Sequence, residues 1–338
     1  MTEIVTIGLD LAKHVFQVHG VAADSRIVIR RQLRRADVLA FFAGLPPCLV
    51  GIEACGSSHY WGRKIAALGH RVKMMPPAYV KPYVKRGKTD AADAEAICEA
   101  VIRPTMRFVP VKTAEQQSVL MLHKTRELLV RQRVMLTNAL RAHLAEFGMV
   151  AAQGPGGMSQ LLALFLDCGD ALPILAREAL NGVVAQIESA ERQIEAIDTK
   201  IMAWHRANAD SRRLATIPGI GPITASAIAA SVPDPAVFRS GRQFSAWLGL
   251  TPRAHSSGGK EHAMGITKQG DGYLRRLLVV GATAVLRYAR QTNSSRLWAM
   301  RLLERKRPKV VAVALANKNA RFAWALMMRG EDYIAPAA

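Results

Sequence analysis

The stretch Ile4-Val5-Thr6-Ile7-Gly8-Leu9-Asp10 decides the reading of the chain. It is an apolar run with β-branched residues that closes on an acid, the pattern of a buried strand with a carboxylate at its end. Val15 to Val21 and Arg26 to Arg30 follow at hairpin spacing and are expected as second and third strands. Residues 36–44 read as a helix, and Cys48-Leu49-Val50-Gly51-Ile52 as a fourth strand ending in Glu53. A helix around residues 59–68 leads to a fifth strand, Arg71 to Met75.

The order βββ-α-β-α-β is that of an RNase H-like α/β fold, in which the first and fourth strands are neighbours. Asp10 and Glu53 would then meet at adjacent strand ends. The run Lys88-Thr89-Asp90-Ala91-Ala92-Asp93-Ala94-Glu95 opens a further helix, with Asp90 and Asp93 on one face. Read singly, the last two are a helix N-cap and a first-turn charge, Asp10 is a turn residue and Glu53 a surface acid. Read together, four converging carboxylates repel one another unless a cation neutralises them. Hard oxygen ligands of this kind suit Mg²⁺ or Mn²⁺, singly or as a pair.

Charge is spread unevenly over the 338 residues, which carry 46 Lys plus Arg against 26 Asp plus Glu, a net charge of +20. Residues 1–110 hold +7, residues 111–210 hold −1, and residues 211–338 hold +14. Such a balance argues against cationic partners and for a polyanion, nucleic acid first. Two basic domains joined by a neutral structural element account for the pattern, which sets expected boundaries at 1–110, 111–210 and 211–338. Cys48, Cys55, Cys98 and Cys168 have no CxxC spacing, so neither a disulfide framework nor a four-cysteine zinc site is expected. No apolar run approaches the roughly 18 residues of a membrane span, and the first thirty residues lack a leader pattern. The expected compartment is the cytoplasm, with no membrane partner.

In the neutral middle, Leu180, Val183, Ile187, Ala190, Ile194, Ile197, Ile201 and Trp204 fall at alternating steps of three and four, a coiled-coil seam. Residues 113–147 form a second helical stretch with Leu122, Leu129 and Leu136 seven apart, interrupted by Arg126 and Arg133. Gly154-Pro155-Gly156-Gly157 separates the two. The pair predicts an antiparallel hairpin or a self-association arm, and a seam this narrow favours self-association.

Three basic segments are candidate nucleic-acid contacts. Arg71–Lys88 holds six cations, among them Lys81, Lys85, Arg86 and Lys88, with Tyr79 and Tyr83 interleaved and no acid. Its alternative is a solvated loop. Leu214–Ala225 contains Ile217-Pro218-Gly219-Ile220-Gly221-Pro222, a helix-hairpin-helix signature in which Gly219 and Gly221 let backbone N–H groups meet phosphates. The alternative here is an ordinary helix-turn-helix packing unit. The third runs from Gly249-Leu250-Thr251-Pro252-Arg253-Ala254-His255-Ser256-Ser257-Gly258-Gly259-Lys260 to Gly265-Ile266-Thr267-Lys268-Gln269-Gly270-Asp271-Gly272-Tyr273-Leu274-Arg275-Arg276. A serine in such a loop could act as a nucleophile towards phosphate, with Arg253, Lys260, Lys268 and Arg275 beside the developing charge. Serine and glycine also populate ordinary loops.

The four acids, the seam, IPGIGPITA, GLTPRAHSSGGK and ITKQGDGYLRR, in this order over nearly the whole chain, resemble the DEDD transposases of the insertion sequence 110 family. KTDAADAEAI and NKNARFAWA are most similar to its 1111 subgroup. The resemblance implies a RuvC-like N-terminal domain, a coiled-coil middle and a mainly helical C-terminal domain with a nucleophilic serine. It places metal ligands at Asp10, Glu53, Asp90 and Asp93, and the nucleophile at Ser257, with Ser256 its neighbour. It further implies bridge-RNA-guided recombination of donor and target DNA through a phosphoserine intermediate, in a dimer or tetramer associated with the nucleoid. Two rivals remain: a metal-dependent junction endonuclease that uses water and not Ser257, and a non-catalytic nucleic-acid scaffold.

Overall fold

The structure is a computed structural model that describes residues 3–85, 89–168, 171–253, 256–257, 260–261, 265–288 and 297–334. The chain divides into two compact units, Met1–Gln117 with Ser231–Arg239, and Ser118–Ala230 with Ser240–Ala338. Where the sequence set boundaries at 110 and 210, the middle helices and the C-terminal helices thus share one unit.

In the first unit five strands form one sheet: β1 (Thr6–Asp10), β2 (Val15–Val21), β3 (Ile27–Arg34), β4 (Leu49–Glu53) and β5 (Arg71–Met75), in the order β3-β2-β1-β4-β5. The three N-terminal strands pair antiparallel, while β1–β4 and β4–β5 are parallel. The expected neighbours, first and fourth strands, are adjacent. Helices α1 (Val38–Ala43) and α2 (Ser58–Ala66) cover one face. There Val38, Phe42, Trp61 and Ile65 pack on Ile7, Leu9, Phe16, Val18, Val50 and Ile52. The short α3 (Pro77–Val80) precedes α4 (Asp90–Val101), and α4 lies on the opposite face. Its Ala96, Ile97, Ala100 and Val101 close a second core with Met75 and Val80. This is an α/β sandwich with the topology expected of an RNase H-like domain.

Close approach of α4 to the sheet depends on two glycines. A Cβ on Gly8 would stand 2.1 Å from the Ala94 carbonyl oxygen and 2.4 Å from the Cys98 nitrogen. A Cβ on Gly51 would meet the Val101 Cβ at 2.8 Å. Glycine in a strand interior marks a place where another backbone comes close, and here that backbone carries Asp90 and Asp93.

The second unit is helical. Helices α5 (Ala114–Ala145) and α7 (Ile174–Ala207) run antiparallel, tied by Arg126 to Asp198 and by Arg133 to Glu191, with α6 (Pro155–Leu166) between them in sequence. Leu140 and Leu144 of α5 meet Leu161 and Phe165 of α6 and Leu180 and Ile187 of α7. Ala190, Ile194 and Ile201 are buried too, so the apolar seam of α7 is covered within one chain. Ile194 is 7% exposed. The hairpin is therefore the form taken, and the seam itself leaves little apolar surface for a second copy. Ile194→Glu would bury an unpaired carboxylate, and a loss of roughly 3 kcal/mol is expected. Thermal unfolding of the full chain measures it; an unchanged midpoint would mean that the seam is not packed.

The remaining helices are α8 (Ala209–Leu214), α9 (Pro222–Ser231), α10 (Gly241–Trp247), α11 (Gly272–Tyr288), α12 (Leu297–Leu303) and α13 (Pro308–Arg329). α13 is the central one, packed on α8, α10, α11 and α12. His123 of α5 is buried and joins three elements: Nδ1 lies 3.0 Å from the Tyr273 hydroxyl of α11, and Nε2 lies 3.1 Å from Ser226 Oγ of α9. Ser226 can spend its one proton on the Pro222 carbonyl at 2.7 Å. Nε2 is then the donor and Nδ1 accepts from tyrosine, a neutral imidazole. Burial agrees, pushing the His123 pKa down to about 4.

Candidate metal centre and nucleic-acid interface

The parallel register aligns Leu9 with Ile52, which brings the carboxyl ends of β1 and β4, and with them Asp10 and Glu53, side by side. α4 begins at the same end. Its N-cap is Thr89, extended in backbone and accepting from the Ala92 nitrogen at 3.3 Å. Asp90 and Asp93 are thus first-turn acids and not caps. One carboxylate oxygen from each of Asp10, Asp90 and Asp93 lies within 4.8 Å of the others. Glu53 falls outside that triad but feels it. Burial and the charge of Asp93 raise its carboxyl above the usual range. Asp10 is pushed up to about 6, by burial first and then by Asp93, Asp90 and Glu53, against a hydrogen bond from the Leu11 backbone. Repulsion of this kind is what a divalent cation relieves, and an all-oxygen donor set is the one Mg²⁺ or Mn²⁺ takes. The residues present fit such an ion.

The other sequence candidates have varied surroundings. Lys81 is exposed. Lys85 pairs with Glu95 at 2.5 Å, and Arg30 reaches the same carboxylate at 3.2 Å. Arg86 and Lys88 lie outside the described residues. Gly219 has φ +88° and packs on α11, where a Cβ on Gly281 would come within 1.8 Å of the Gly219 carbonyl oxygen. Its glycine character therefore serves turn and packing. Gly221 is exposed with open space at its Cβ position, the freer of the two to approach a phosphate.

Residues 249–253 pair back with residues 265–268. Arg253 N donates to Gly265 O, Thr267 N to Thr251 O and Lys268 N to Gly249 O, at 2.9–3.1 Å. Farther out, β6 (Ser256–Ser257) pairs antiparallel with β7 (Lys260–Glu261), which sets Ser257 opposite Lys260 and Ser256 opposite Glu261. Gly258-Gly259, between them in sequence, lie outside the described residues. Arg253 and Lys268 are exposed at the base of this ribbon. Arg275 has a different task. Its Nη1 donates to the carbonyls of Leu248 and Gln269 at 3.0 and 2.9 Å, and so holds the ribbon's base closed.

Three features escaped the sequence reading. Gly8 and Gly51 position α4, and an isolated glycine inside each strand pattern was the available signal. Thr89 caps that helix. Arg305, Lys306, Arg307 and Lys309 form an exposed basic run before and within the first turn of α13, legible as a charge run.

Comparison with known proteins fits this geometry. Residues 7–149, which hold all four acids, match the family model of the DEDD transposases of IS110 type. Residues 211–296, which hold the glycine turn and the serine ribbon, match the transposase IS116/IS110/IS902 family. A putative transposase of Sinorhizobium fredii, y4pF/y4sB, is 51% identical over 98% of this chain and 86% of its own. A probable family 20 transposase of Pseudomonas aeruginosa is 52% identical over 97% of this chain and 98% of its own. The transposase for insertion sequence element IS1111A of Coxiella burnetii is 40% identical over 98% of this chain and 92% of its own. Among the described residues no helix is long and apolar enough to cross a membrane. With two transposase family models matched over residues 7–149 and 211–296, and relatives 40–52% identical over nearly its whole length, the chain belongs to the IS110-family DEDD transposases, enzymes that process the DNA of insertion sequences.

Proposed function

We propose that this transposase cuts and rejoins donor and target DNA through a phosphoserine intermediate at Ser257, guided by a structured bridge RNA. The observation that carries the reading is the carboxylate cluster of Asp10, Asp90 and Asp93, with Glu53 beside it, in a chain whose other basic end presents a serine on a β-ribbon. Asp10, Asp90, Asp93 and Glu53 would hold Mg²⁺ or Mn²⁺. When bound, such an ion neutralises the carboxylates and polarises the phosphate oxygens that it faces.

The chain's own residues do the rest. Ser257 Oγ bonds to phosphorus and gives its proton to water, while the P–O bond to the departing strand end breaks and that oxygen takes up a proton. The DNA remains joined to the enzyme as a phosphodiester, so the bond is kept for transfer to a new strand end. Lys260, opposite Ser257 in the register, and Arg253 and Lys268 at the ribbon's base offset charge on the phosphate. Gly221, Lys81, Lys85, Arg86 and Lys88 are proposed contacts to the nucleic-acid backbone, with the Gly219 turn as a helix-hairpin-helix. The α5–α7 hairpin is proposed as the coiled-coil element on which dimers and tetramers assemble.

The test is a labelled DNA substrate incubated with the full chain, the element's RNA and Mg²⁺, then resolved under denaturing conditions. The parent should yield a covalent protein–DNA adduct. Ser257→Ala should bind DNA and lose both adduct and cleavage, and Ser256→Ala should keep both. Cleavage by Ser257→Ala without any adduct in the parent would establish hydrolysis by water. Loss of the adduct with Ser256→Ala alone would move the nucleophile by one residue.

A further inference from the structure

The sheet face that carries the acids continues beyond them. Gly8 faces α4, whereas Ile7 and Leu9 face the opposite core, so Asp10 stands on the α4 side. In the ladder Asp10 pairs with Gln17, and Gln17 pairs with Gln32, a single row across β1, β2 and β3. Residues directly opposite share a face. Strand spacing puts Gln17 about 5 Å and Gln32 about 10 Å from Asp10. On the edge strand Gln32 is flanked on the same face by Arg30, paired with His19, and Arg34, paired with Val15. The Arg30 contact to Glu95 of α4 bears out that assignment of faces.

Gln17 is half-buried, while Gln32 and Arg34 are exposed. Neither side-chain amide is hydrogen-bonded among the described residues, and Arg34 makes no ion pair among them. Cations on an edge strand discourage edge-to-edge pairing. That accounts for arginine on β3, but not for two carboxamides in line with a carboxylate, one of them on the interior strand β2. The sequence of groups has an electrostatic logic. A guanidinium next to Asp10 would pair with it and close the site. Uncharged amides occupy the near positions in the row, and Arg34, two residues along β3 from Gln32, stands about 12 Å away.

We propose that the row Gln17–Gln32, ending at Arg34, seats the DNA strand whose scissile phosphate lies at the carboxylates. The amides donate N–H to sugar and phosphate oxygens, and Arg34 pairs with a phosphate farther along the same strand. These are positioning residues, and the proposal rests on the reading that the acids carry cleavage.

The test uses the full chain with its RNA and Mg²⁺ on DNA in which single phosphates flanking the cut are replaced, one at a time, by uncharged methylphosphonates. Arg34→Ala should lower kcat/KM about tenfold on unmodified DNA, and Arg34→Lys should restore part of it. At one phosphate the methylphosphonate should cost the parent about as much and cost Arg34→Ala nothing further. A purely structural arginine would give penalties that add at every position. Additive penalties throughout, or an unchanged kcat/KM, overturn the proposal. Asp10→Asn serves as the control: if it cleaves like the parent, the reading of the acids has failed instead.

Discussion

Asp10→Asn is expected to abolish DNA cleavage and at the same time to stabilise the metal-free protein. The first effect follows from the proposed metal site, in which Asp10 would be the central ligand. Several kcal/mol of transition-state stabilisation depend on a bound divalent ion, so a loss of at least about 10³-fold in rate is expected. Binding of nucleic acid should stay nearly intact, since the cations that supply it are elsewhere. The second effect follows from electrostatics in the apo state. Asp10 is pushed up to about 6 in the folded chain against an ordinary 3.8, so between those values the folded state holds a proton that the unfolded state has released. Stability therefore falls as pH rises through that window and stays low above it. The shift has a ceiling of about 3 kcal/mol. Asp10 is only half-buried, and solvent screening brings the cost to on the order of 1 kcal/mol. The asparagine variant lacks the charge and should unfold about 2 °C higher in chelator at pH 7.5. Added Mg²⁺ should raise the parent's midpoint and barely move the variant's. Equal responses of the two proteins to Mg²⁺ would place the ion elsewhere.

The largest effect on stability is expected at Gly8. Its missing Cβ is the space into which the α4 backbone fits, and the contacts that a methyl would make, 2.1 and 2.4 Å, are to main-chain atoms with no rotamer to escape into. Gly8→Ala must push α4 off the sheet. We expect a loss of about 3 kcal/mol or more, at the upper end for overpacking. Cleavage should be lost with it, because Asp90 and Asp93 ride on the displaced helix. Gly51→Ala meets the Val101 Cβ at 2.8 Å and both its γ-methyls at 3.1 Å. Cβ cannot move by rotation, so α4 must shift, but by less than at Gly8, and a smaller loss of roughly 2 kcal/mol is expected. Denaturant unfolding of both variants gives the order directly. If the Gly8→Ala protein unfolds at the parent's midpoint, or less readily than Gly51→Ala, the close approach does not anchor the helix.

Much of the N-terminal unit was legible because its signals are local. Strand runs such as Val15–Val21 and Arg71–Met75 announce themselves by alternation and turn residues, and β-strands in this order leave few topologies. Asp10 and Glu53 stood out because each closes an apolar strand run, and the strand order sets those two ends side by side. What escaped were contacts between distant segments. Nothing near Gly8 in sequence says that Ala94 and Cys98 will lie on it. Arg275 read as a phosphate ligand because a guanidinium in a glycine-rich segment resembles one, and only the fold brings the carbonyls of Leu248 and Gln269 within its reach. The seam of α7 was read correctly as apolar, but periodicity does not say whether the covering helix comes from the same chain. His123 gave no signal, since its partners Tyr273 and Ser226 lie 150 and 103 residues away.

The antiparallel pairing of α5 with α7 also has a consequence during synthesis. Arg126 leaves the ribosome 72 residues before Asp198, its partner across the hairpin. At roughly 5–20 residues per second, α5 is out for about 4–14 s before the matching turn of α7 exists. Over that interval Leu129, Leu136, Leu140 and Leu144 have no native cover from α7, so a nascent chain stalled near residue 170 should be a chaperone client, and one released past residue 207 should not.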